Sequence, residues 1–264
     1  MKLLFLGGNH PRHLYIANKL ADKFGLDAAI LELRETMIPS PPDGISTIDK
    51  ENFIKHFHNR DIAEKRYFRK QPSPRCNISY VTEGTISNSI TADYVKSLKP
   101  DVSIIFGTGL IKEPLYSILP RNTINLHLGL SPKYRGAATL FWPFYFLEPT
   151  YAGSTFHFII SEPDAGEIIH QTTPVLEKND GIHDVACKSV IQSGKDLLQL
   201  LDLFEEKKGW KNFSQKGTGK NFLSSDFRPE HLRVIYNLFN DDIVRKYLDG
   251  DLKCNLPALF RQFE

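Results

Sequence analysis

The sequence predicts an α/β protein with a Rossmann-like fold, in which a mostly parallel, twisted sheet is flanked by helices. The chain opens with an apolar strand over residues 2–6, which two glycines separate from a segment of helical periodicity over residues 11–24. A second apolar strand follows over residues 28–33. Strand, glycine turn, helix and strand in this order are typical of the first unit of a doubly wound sheet.

Apolar periodicity, interrupted by glycine and proline, divides the following residues into further strands and helices. Continuous apolar runs predict buried strands, whereas apolar residues three or four positions apart predict helices with one buried face. The expected elements are a helix over 51–69, a strand over 78–81, a helix over 92–98, strands over 102–106, 123–128 and 153–160, and a helix over 181–207.

The length of 264 residues suits one large domain with a small appendage. Beyond Lys208 a polar stretch punctuated by glycines precedes an amphipathic segment that Pro229 opens. We therefore expect a main domain over residues 1–207 and a small helical extension over residues 208–264. The apolar side of this extension is expected to consist of Leu232, Ile235, Leu238, Phe239, Ile243 and Tyr247.

The composition excludes several classes of protein. Apolar residues make up 41 % of the chain, which is too many for a disordered protein, and the net charge of +2 gives no argument for a nucleic-acid partner. The three cysteines lie far apart without a Cys/His cluster, so neither a disulfide framework nor a metal site is expected. No apolar run approaches the ~20 residues of a membrane span. We expect a cytoplasmic protein without a membrane partner.

The most informative stretch places an amide and an imidazole two residues apart, at Asn125 and His127, after a β-branched approach. Side chains two apart on a strand point to the same side, so both are expected to face one cavity. A carboxylate, Asp164, follows in a loop that Pro163 opens and Gly166 relaxes. An acyl transfer to an amine requires these three kinds of polar group.

With their flanking segments, these residues resemble the 10-formyltetrahydrofolate-dependent formyltransferases. The matching segments are Ser131-Pro132-x-Tyr134-Arg135-Gly136, Gly153-Ser154-Thr155-x-His157 and Asp164-x-Gly166. Each piece alone is weak, but the compound pattern is specific, and the resemblance covers about residues 1–205. Within the family the chain is most similar to nucleotide-sugar N-formyltransferases such as those acting on GDP-perosamine. The main domain over 1–207 would then be the catalytic domain.

The resemblance implies a role for each of the three polar groups. Formyl transfer from N10 of the folate passes through a tetrahedral intermediate with an oxyanion, and loss of one oxyanion donor costs ~2.7–4 kcal/mol. Asn125 would donate its amide to the oxyanion, and His127 would donate there and assist proton movement. Asp164 would orient and tune the imidazole, or manage protons through an ordered water. The co-substrate would be 10-formyltetrahydrofolate, with no metal.

The resemblance also implies two groups of binding residues, for each of which an ordinary turn or helix cap is the alternative. A strand end and a second loop would bind the pterin, while a helix N-terminus and the loop after His127 would bind the nucleotide-linked acceptor. The expected folate-binding residues are Phe106, Gly107, Thr108, Gly109, Leu110, Ile160 and Asp164. The expected acceptor-binding residues are Gly8, Asn9, Arg12, Lys133, Tyr134, Arg135 and Gly136.

The expected reaction is formylation of the primary amine of a nucleotide-linked dideoxy-amino sugar, of perosamine, Qui4N or Qui3N type, for O-antigen or other surface polysaccharide. Methionyl-tRNA, glycinamide ribonucleotide and hydroxyornithine are alternative acceptors. A non-catalytic nucleotide- or folate-binding module is an alternative from another class. A nicotinamide-dependent sugar dehydrogenase is disfavoured because the GxGxxG fingerprint is absent. A homodimer is one candidate assembly.

Overall fold

A computed structural model describes residues 1–33, 38–215 and 219–263. The strands in these residues are β1 Leu3–Gly8, β2 Ala28–Leu33, β3 Asn77–Thr82, β4 Val102–Phe106, β5 Thr123–His127, β6 Tyr134–Gly136, β7 Ser154–Phe158, β8 Ile168–Thr172 and β9 Lys220–Phe222. The α-helices are α1 Pro11–Phe24, α2 Thr47–Phe68, α3 Ser89–Leu98, α4 Leu115–Ile118, α5 Trp142–Tyr145, α6 Ile182–Lys207 and α7 Ile243–Leu248.

Seven of these strands form one sheet in the order β3-β2-β1-β4-β5-β7-β8, while β6 and β9 form a separate pair. The strands from β3 to β5 in this order pair in parallel, whereas β7 and β8 are antiparallel. The mostly parallel sheet with flanking helices confirms the predicted Rossmann-like fold. Among the helices of the described residues, none is both long and apolar enough to cross a membrane.

Both faces of the central strand β1 are buried. Leu3 and Phe5 belong to a core cluster that includes residues of α1 and α6, whereas Leu4 and Leu6 belong to a cluster that includes residues of α3. Successive side chains of a strand point to opposite faces, so helices on both sides of the sheet are required to cover β1. This burial explains the continuous apolar run that begins the sequence.

The prediction of a tight turn at Gly7-Gly8 is wrong, because β1 continues through both glycines. A Cβ on Gly7 would lie 2.3 Å from the ring of Phe5, and a Cβ on Gly8 would lie 2.3 Å from the ring of His13. The two glycines therefore permit close packing of neighbouring rings.

Most other predicted elements are present with shifted boundaries. The helix expected to begin at residue 92 begins at Ser89, because Asn88 caps it and accepts a hydrogen bond from the Thr91 N–H at 2.8 Å. The long helix α6 begins within one residue of its prediction. The edge strand β8 was not predicted from the sequence; it is only five residues long, and its two isoleucines are followed by three polar residues.

The extension contains short elements rather than one continuous amphipathic helix. Its described residues, 208–215 and 219–263, comprise β9, two short 3-10 turns, a π-helix over Val234–Leu238 and α7, followed by residues without helix or strand. Leu232 and Ile235 are buried in a core cluster together with Trp142 and Ile182 of the main domain. Leu238, expected on the apolar side, is 71 % exposed. Part of the extension thus shares a core with the main domain, and the boundary at 207/208 stays a prediction.

Asp241 of the extension contacts the first turn of α6 and supplies a test of this packing. It accepts a hydrogen bond from the Ile182 N–H at 2.9 Å. Burial raises the pKa of Asp241 to about 6, although the Ile182 hydrogen bond opposes the increase. An unfolded aspartate has a pKa of ~3.9. Stability therefore falls as the pH rises through this window, since the unfolded chain releases the proton first.

We predict that Asp241→Asn, which keeps the acceptor oxygen without the charge, increases the free energy of unfolding by about 1–2 kcal/mol above about pH 7. The gain should vanish below about pH 3, where the aspartate is protonated in both states. Urea unfolding at the two pH values measures the difference. Equal stability of the two proteins at the higher pH would contradict this account of Asp241.

Candidate active site

The described residues contain two neighbouring cavities beside the ends of β4, β5 and β7. The small cavity, of about 390 Å³, is lined by Asn125, His157 and Asp164 among others. The large cavity, of about 660 Å³, extends between α2 and α6. Ala137 and Ser224 line both cavities, so a ligand in one can approach a ligand in the other.

Four polar side chains meet at the wall of the small cavity. Asn125 Nδ2 donates to Asp164 Oδ1 at 3.2 Å and lies 3.1 Å from His157 Nε2. His127 Nδ1 lies 3.4 Å from Asp164 Oδ2, and His157 Nε2 lies 3.4 Å from Asp164 Oδ1. The predicted amide, imidazole and carboxylate therefore converge, with His157 as a fourth member.

The sheet register brings the members of this cluster together. In the antiparallel pair of β5 and β7, Asn125 lies opposite His157 and His127 lies opposite Thr155. Asp164 follows β7 in a loop, where it adopts the left-handed region at φ 50°. Gly166 supports that loop, because a Cβ there would lie 1.7 Å from Phe158 O.

Asn125 and His127 do not face the cavity equally, contrary to the expectation from their spacing. Asn125 is part of the cavity wall, whereas His127 is 7 % exposed and contacts this wall through Asp164. The ring of His127 is fixed by its Nε2, which lies 3.0 Å from Tyr134 O. Because Tyr134 O can only accept, Nε2 is the donor of this pair, and Nδ1 is the ring atom that faces Asp164.

A backbone donor from the loop after His127 completes the surroundings of Asp164. The Gly136 N–H donates to Asp164 Oδ2 at 2.9 Å. Gly136 has φ 87°, and a Cβ there would lie 2.2 Å from Phe222 O. Both constraints favour glycine, since L residues with a side chain rarely adopt this conformation.

The electrostatics of the cluster favour a carboxylate beside a neutral imidazole. Burial alone would raise the pKa of Asp164, but His127, His157 and the Gly136 N–H together hold it below its ordinary value. Burial is also the largest effect on His127 and lowers its pKa, against the opposing effect of the Asp164 carboxylate. At neutral pH, Asp164 is therefore charged and His127 is neutral.

The amide nitrogen of Asn125 already has partners within the cluster. It donates to Asp164 Oδ1 at 3.2 Å and lies 3.1 Å from His157 Nε2. Donation to an oxyanion therefore requires Asn125 to exchange one of these partners. Its predicted catalytic role stays a proposal.

The expected folate-binding residues separate into two sets. Thr108, Gly109, Leu110 and Ile160 line the small cavity with Asp164. Leu110 and Ile160 are 51 % and 43 % exposed, an apolar rim that suits a planar ring. Phe106 instead lies in the core, and the space where Gly107 would carry a Cβ is filled by the His13 ring at 2.2 Å.

Glu32 fixes the loop that contains Gly109, a role that was not predicted from the sequence. This buried carboxylate at the end of β2 accepts hydrogen bonds from the Gly109 N–H at 2.5 Å and from the Gly84 N–H at 3.0 Å. Backbone donors from two loops thereby satisfy its charge. An acidic residue within an otherwise apolar strand is the signal that could have indicated it.

The first expected acceptor-binding group lies at the end of β1. Gly8 is buried against His13, whereas Asn9 is exposed. Arg12 lines the large cavity and forms an ion pair with Glu64.

The second expected group, after His127, divides between the core and the small cavity. Lys133 and Tyr134 both donate to Glu148, at 2.6 and 2.7 Å, and Tyr134 is buried in a core cluster. Neither residue belongs to the lining of the two cavities described above. Arg135 pairs with Glu162 at 3.2 Å, and Gly136 lines the small cavity. Substrate contact by Lys133 and Tyr134 would require their side chains to leave Glu148.

The large cavity combines aromatic, basic and imidazole side chains, most of which are not grouped by any pattern in the sequence. Arg12 and Arg60 supply positive charge, and Phe57, Phe141 and Phe227 supply aromatic wall. His56 of α2 and His183 of α6 also line it. Only Arg12 was expected here, because the others come from distant segments that the fold brings together.

Comparison with known proteins connects this geometry to a family. The formyl transferase family model matches residues 54–199. A methionyl-tRNA formyltransferase from Bacteroides thetaiotaomicron is 27 % identical over 133 residues, which cover 50 % of this chain. The chain spans 41 % of the length of this curated relative.

Two solved structures share the fold at low sequence identity. A sugar N-formyltransferase from Shewanella sp. FDAARGOS_354 superimposes with a TM-score of 0.57 at 16 % identity, covering 92 % of this chain and 89 % of its own. The formyltransferase PseJ from Anoxybacillus kamchatkensis gives a TM-score of 0.53 at 16 % identity, covering 93 % and 97 %. Likeness at this identity shows a common fold.

The pairing of Asp164 with His127 can be tested without a substrate. Because the carboxylate opposes the effect of burial on His127, we predict that Asp164→Asn lowers the pKa of His127 further. NMR titration of the histidine ring protons measures the change, with His127→Gln to assign the resonance. The control is Asp196→Asn, which changes a buried carboxylate that lies beside a different histidine, His170. An unchanged or higher pKa of His127 in Asp164→Asn would contradict the pairing.

Proposed function

The chain belongs to the formyl transferase family, and from this premise we propose that it transfers a formyl group from 10-formyltetrahydrofolate to the primary amine of a nucleotide-linked dideoxy-amino sugar. The observation that carries the proposal is the convergence of Asn125, His127 and Asp164 beside the meeting point of two cavities. The folate would occupy the small cavity and the acceptor the large one.

The proposed reaction begins when the neutral amine attacks the formyl carbon and a C–N bond forms. Negative charge develops on the formyl oxygen, and Asn125 Nδ2 would donate to it by exchanging Asp164 Oδ1 for the oxyanion. Such exchange is consistent with catalytic hydrogen bonds that form only in the reacting complex.

The proton that the attacking amine loses must reach N10 of the folate as the second C–N bond breaks. Asp164 lies on the cavity wall, and the Nδ1 of His127 lies 3.4 Å behind it. A proton on Nδ1 would make an imidazolium that the carboxylate stabilises. We infer that Asp164 and His127 hold the proton between the two steps, which yields the formamide and tetrahydrofolate.

The content of the large cavity supports a nucleotide-linked acceptor. Two arginines suit a diphosphate, and the three phenylalanines suit apolar and ring contacts. The Anoxybacillus structure contains UDP-4,6-dideoxy-4-formamido-L-AltNAc and tetrahydrofolate, which are ligands of that protein. A product of this kind would serve O-antigen or related surface polysaccharide synthesis in the cytoplasm, and a homodimer is the assembly we propose to test.

Methionyl-tRNA is the second candidate acceptor, because curated relatives at 27 % and 33 % identity carry that name. The net charge of +2 offers little attraction for a tRNA backbone. Formylation assays with 10-formyltetrahydrofolate and each acceptor separate the two candidates. Formylation of charged tRNA, without formylation of any of the GDP-, dTDP- and UDP-linked amino sugars, would contradict the proposed acceptor.

We predict that Asn125→Ala lowers kcat by ~10²–10³, as expected when one oxyanion donor is removed. The control is Asn122→Ala, which changes an asparagine three residues earlier that hydrogen-bonds Asp101 O away from the cluster. Steady-state kinetics with the accepted amino sugar measure the effect, and circular dichroism checks the fold. Unchanged turnover in the folded Asn125→Ala protein would refute the role of Asn125.

A further inference from the structure

Two histidines of the large cavity have no part in the proposed chemistry. His56 of α2 and His183 of α6 are buried, and their ring centroids lie 4.4 Å apart. Both line the cavity with Arg60, on the side formed by α2 and α6. Because the acceptor amine must reach the small cavity, these histidines lie where the distal part of the acceptor would rest.

The extension fixes the two imidazoles through one phenol. Tyr236 Oη lies 3.0 Å from His56 Nδ1 and 3.5 Å from His183 Nε2, and all three side chains are buried. The hydroxyl also has a hydrogen bond with Asn59. If the hydroxyl accepts from Asn59, its single proton goes to an imidazole, with His56 Nδ1 at the shorter distance. The neutral His56 ring then presents Nε2–H as a donor.

Both imidazoles are neutral at neutral pH. Burial is the main cause that lowers the pKa of His183 to about 3, and the positive charge of Arg60 lowers it further. Burial, with His183 and Arg60, also holds the pKa of His56 well below its ordinary value. Neutral rings cannot neutralise a phosphate, so their hydrogen-bonding capacity suits an uncharged polar group.

Aromatic rings surround this pair. The centroids of Phe141 and Phe227 lie 6.2 and 6.0 Å from that of His56, and these two phenylalanines pack edge to face at 4.9 Å. The guanidinium of Arg60 lies over the Phe57 ring at 4.8 Å. A flat ring with polar edges, joined to an anionic group, matches aromatic walls, uncharged donors and a neighbouring arginine.

We propose that His56 and His183, oriented by Tyr236, recognise the nucleobase of the acceptor, while Arg60 binds the attached phosphates. The inference rests on the proposed function in taking the ligand of the large cavity to be the acceptor. Because Tyr236 belongs to the extension, the extension takes part in acceptor recognition under this proposal. Tyr236 is a positioning residue, and the two histidines determine specificity.

The test measures equilibrium binding of UDP, dTDP, CDP, GDP and inorganic pyrophosphate by calorimetry, without catalysis. The wild-type protein should prefer one nucleoside diphosphate over the other three and over pyrophosphate. His56→Phe should weaken binding of the preferred nucleotide by about tenfold, because it removes one or two hydrogen bonds. The affinities of this variant for pyrophosphate and 5-formyltetrahydrofolate should equal those of the wild type.

Tyr236→Phe removes only a hydroxyl and keeps the inference testable if His56→Phe does not fold. It should also weaken binding of the preferred nucleotide, while the affinity for pyrophosphate stays unchanged. His58→Gln, on an exposed histidine two residues along α2, is the matched control and should bind like the wild type. Arg60→Ala should weaken binding of both the nucleotide and pyrophosphate.

The inference is overturned if no nucleoside diphosphate binds, or if both folded variants keep the wild-type preference. It is also overturned if His56→Phe and Tyr236→Phe weaken binding of pyrophosphate as much as binding of the nucleotide. A lost phosphate contact would then explain the lower affinity. Failure of the proposed function is seen separately, as absent formyl transfer in a protein whose nucleotide binding still depends on His56.

Discussion

The carboxylate of Asp164 is held by donors and rings from separate parts of the chain, and the arrangement of the site depends on it. Asn125 and His127 reach it from β5, His157 from β7 and the Gly136 N–H from β6. A partly buried charge is stable only when such partners compensate the loss of water. The same contacts orient the Asn125 amide, and the carboxylate opposes the effect of burial on the pKa of His127, so one carboxylate acts on both the donor and the proton acceptor.

The loop that supplies Gly136 is itself fixed by buried hydrogen bonds that reach the extension. Gln171 Nε2 donates to Ser131 O at 2.7 Å and to Thr155 Oγ1 at 3.0 Å. The Gln171 N–H donates to Phe260 O, and Gln171 Oε1 accepts from the Phe260 N–H. Phe260 thereby covers the outer edge of β8 at this residue. A covered edge removes the unpaired backbone groups that promote association. The extension thus supports the loop through Gln171 and the acceptor cavity through Tyr236.

The sequence predicted what local patterns determine and missed what only tertiary contacts determine. Apolar periodicity located α6 within one residue, and spacing together with family resemblance brought Asn125, His127 and Asp164 together. Periodicity cannot indicate which way a ring turns, so the deeper position of His127 behind Asp164 was missed. His56 and His183 are distant in sequence and meet only when α2 packs on α6, which no local pattern encodes.

The proposed chemistry requires the reacting formyl carbon to lie in the small cavity, against Asn125. A crystal structure of the protein with 5-formyltetrahydrofolate tests this most directly. We expect the pterin to lie against Leu110 and Ile160, with the formyl group directed toward Asn125 and Asp164. Folate bound in the large cavity, or with its formyl group remote from Asn125 in the small one, would contradict it.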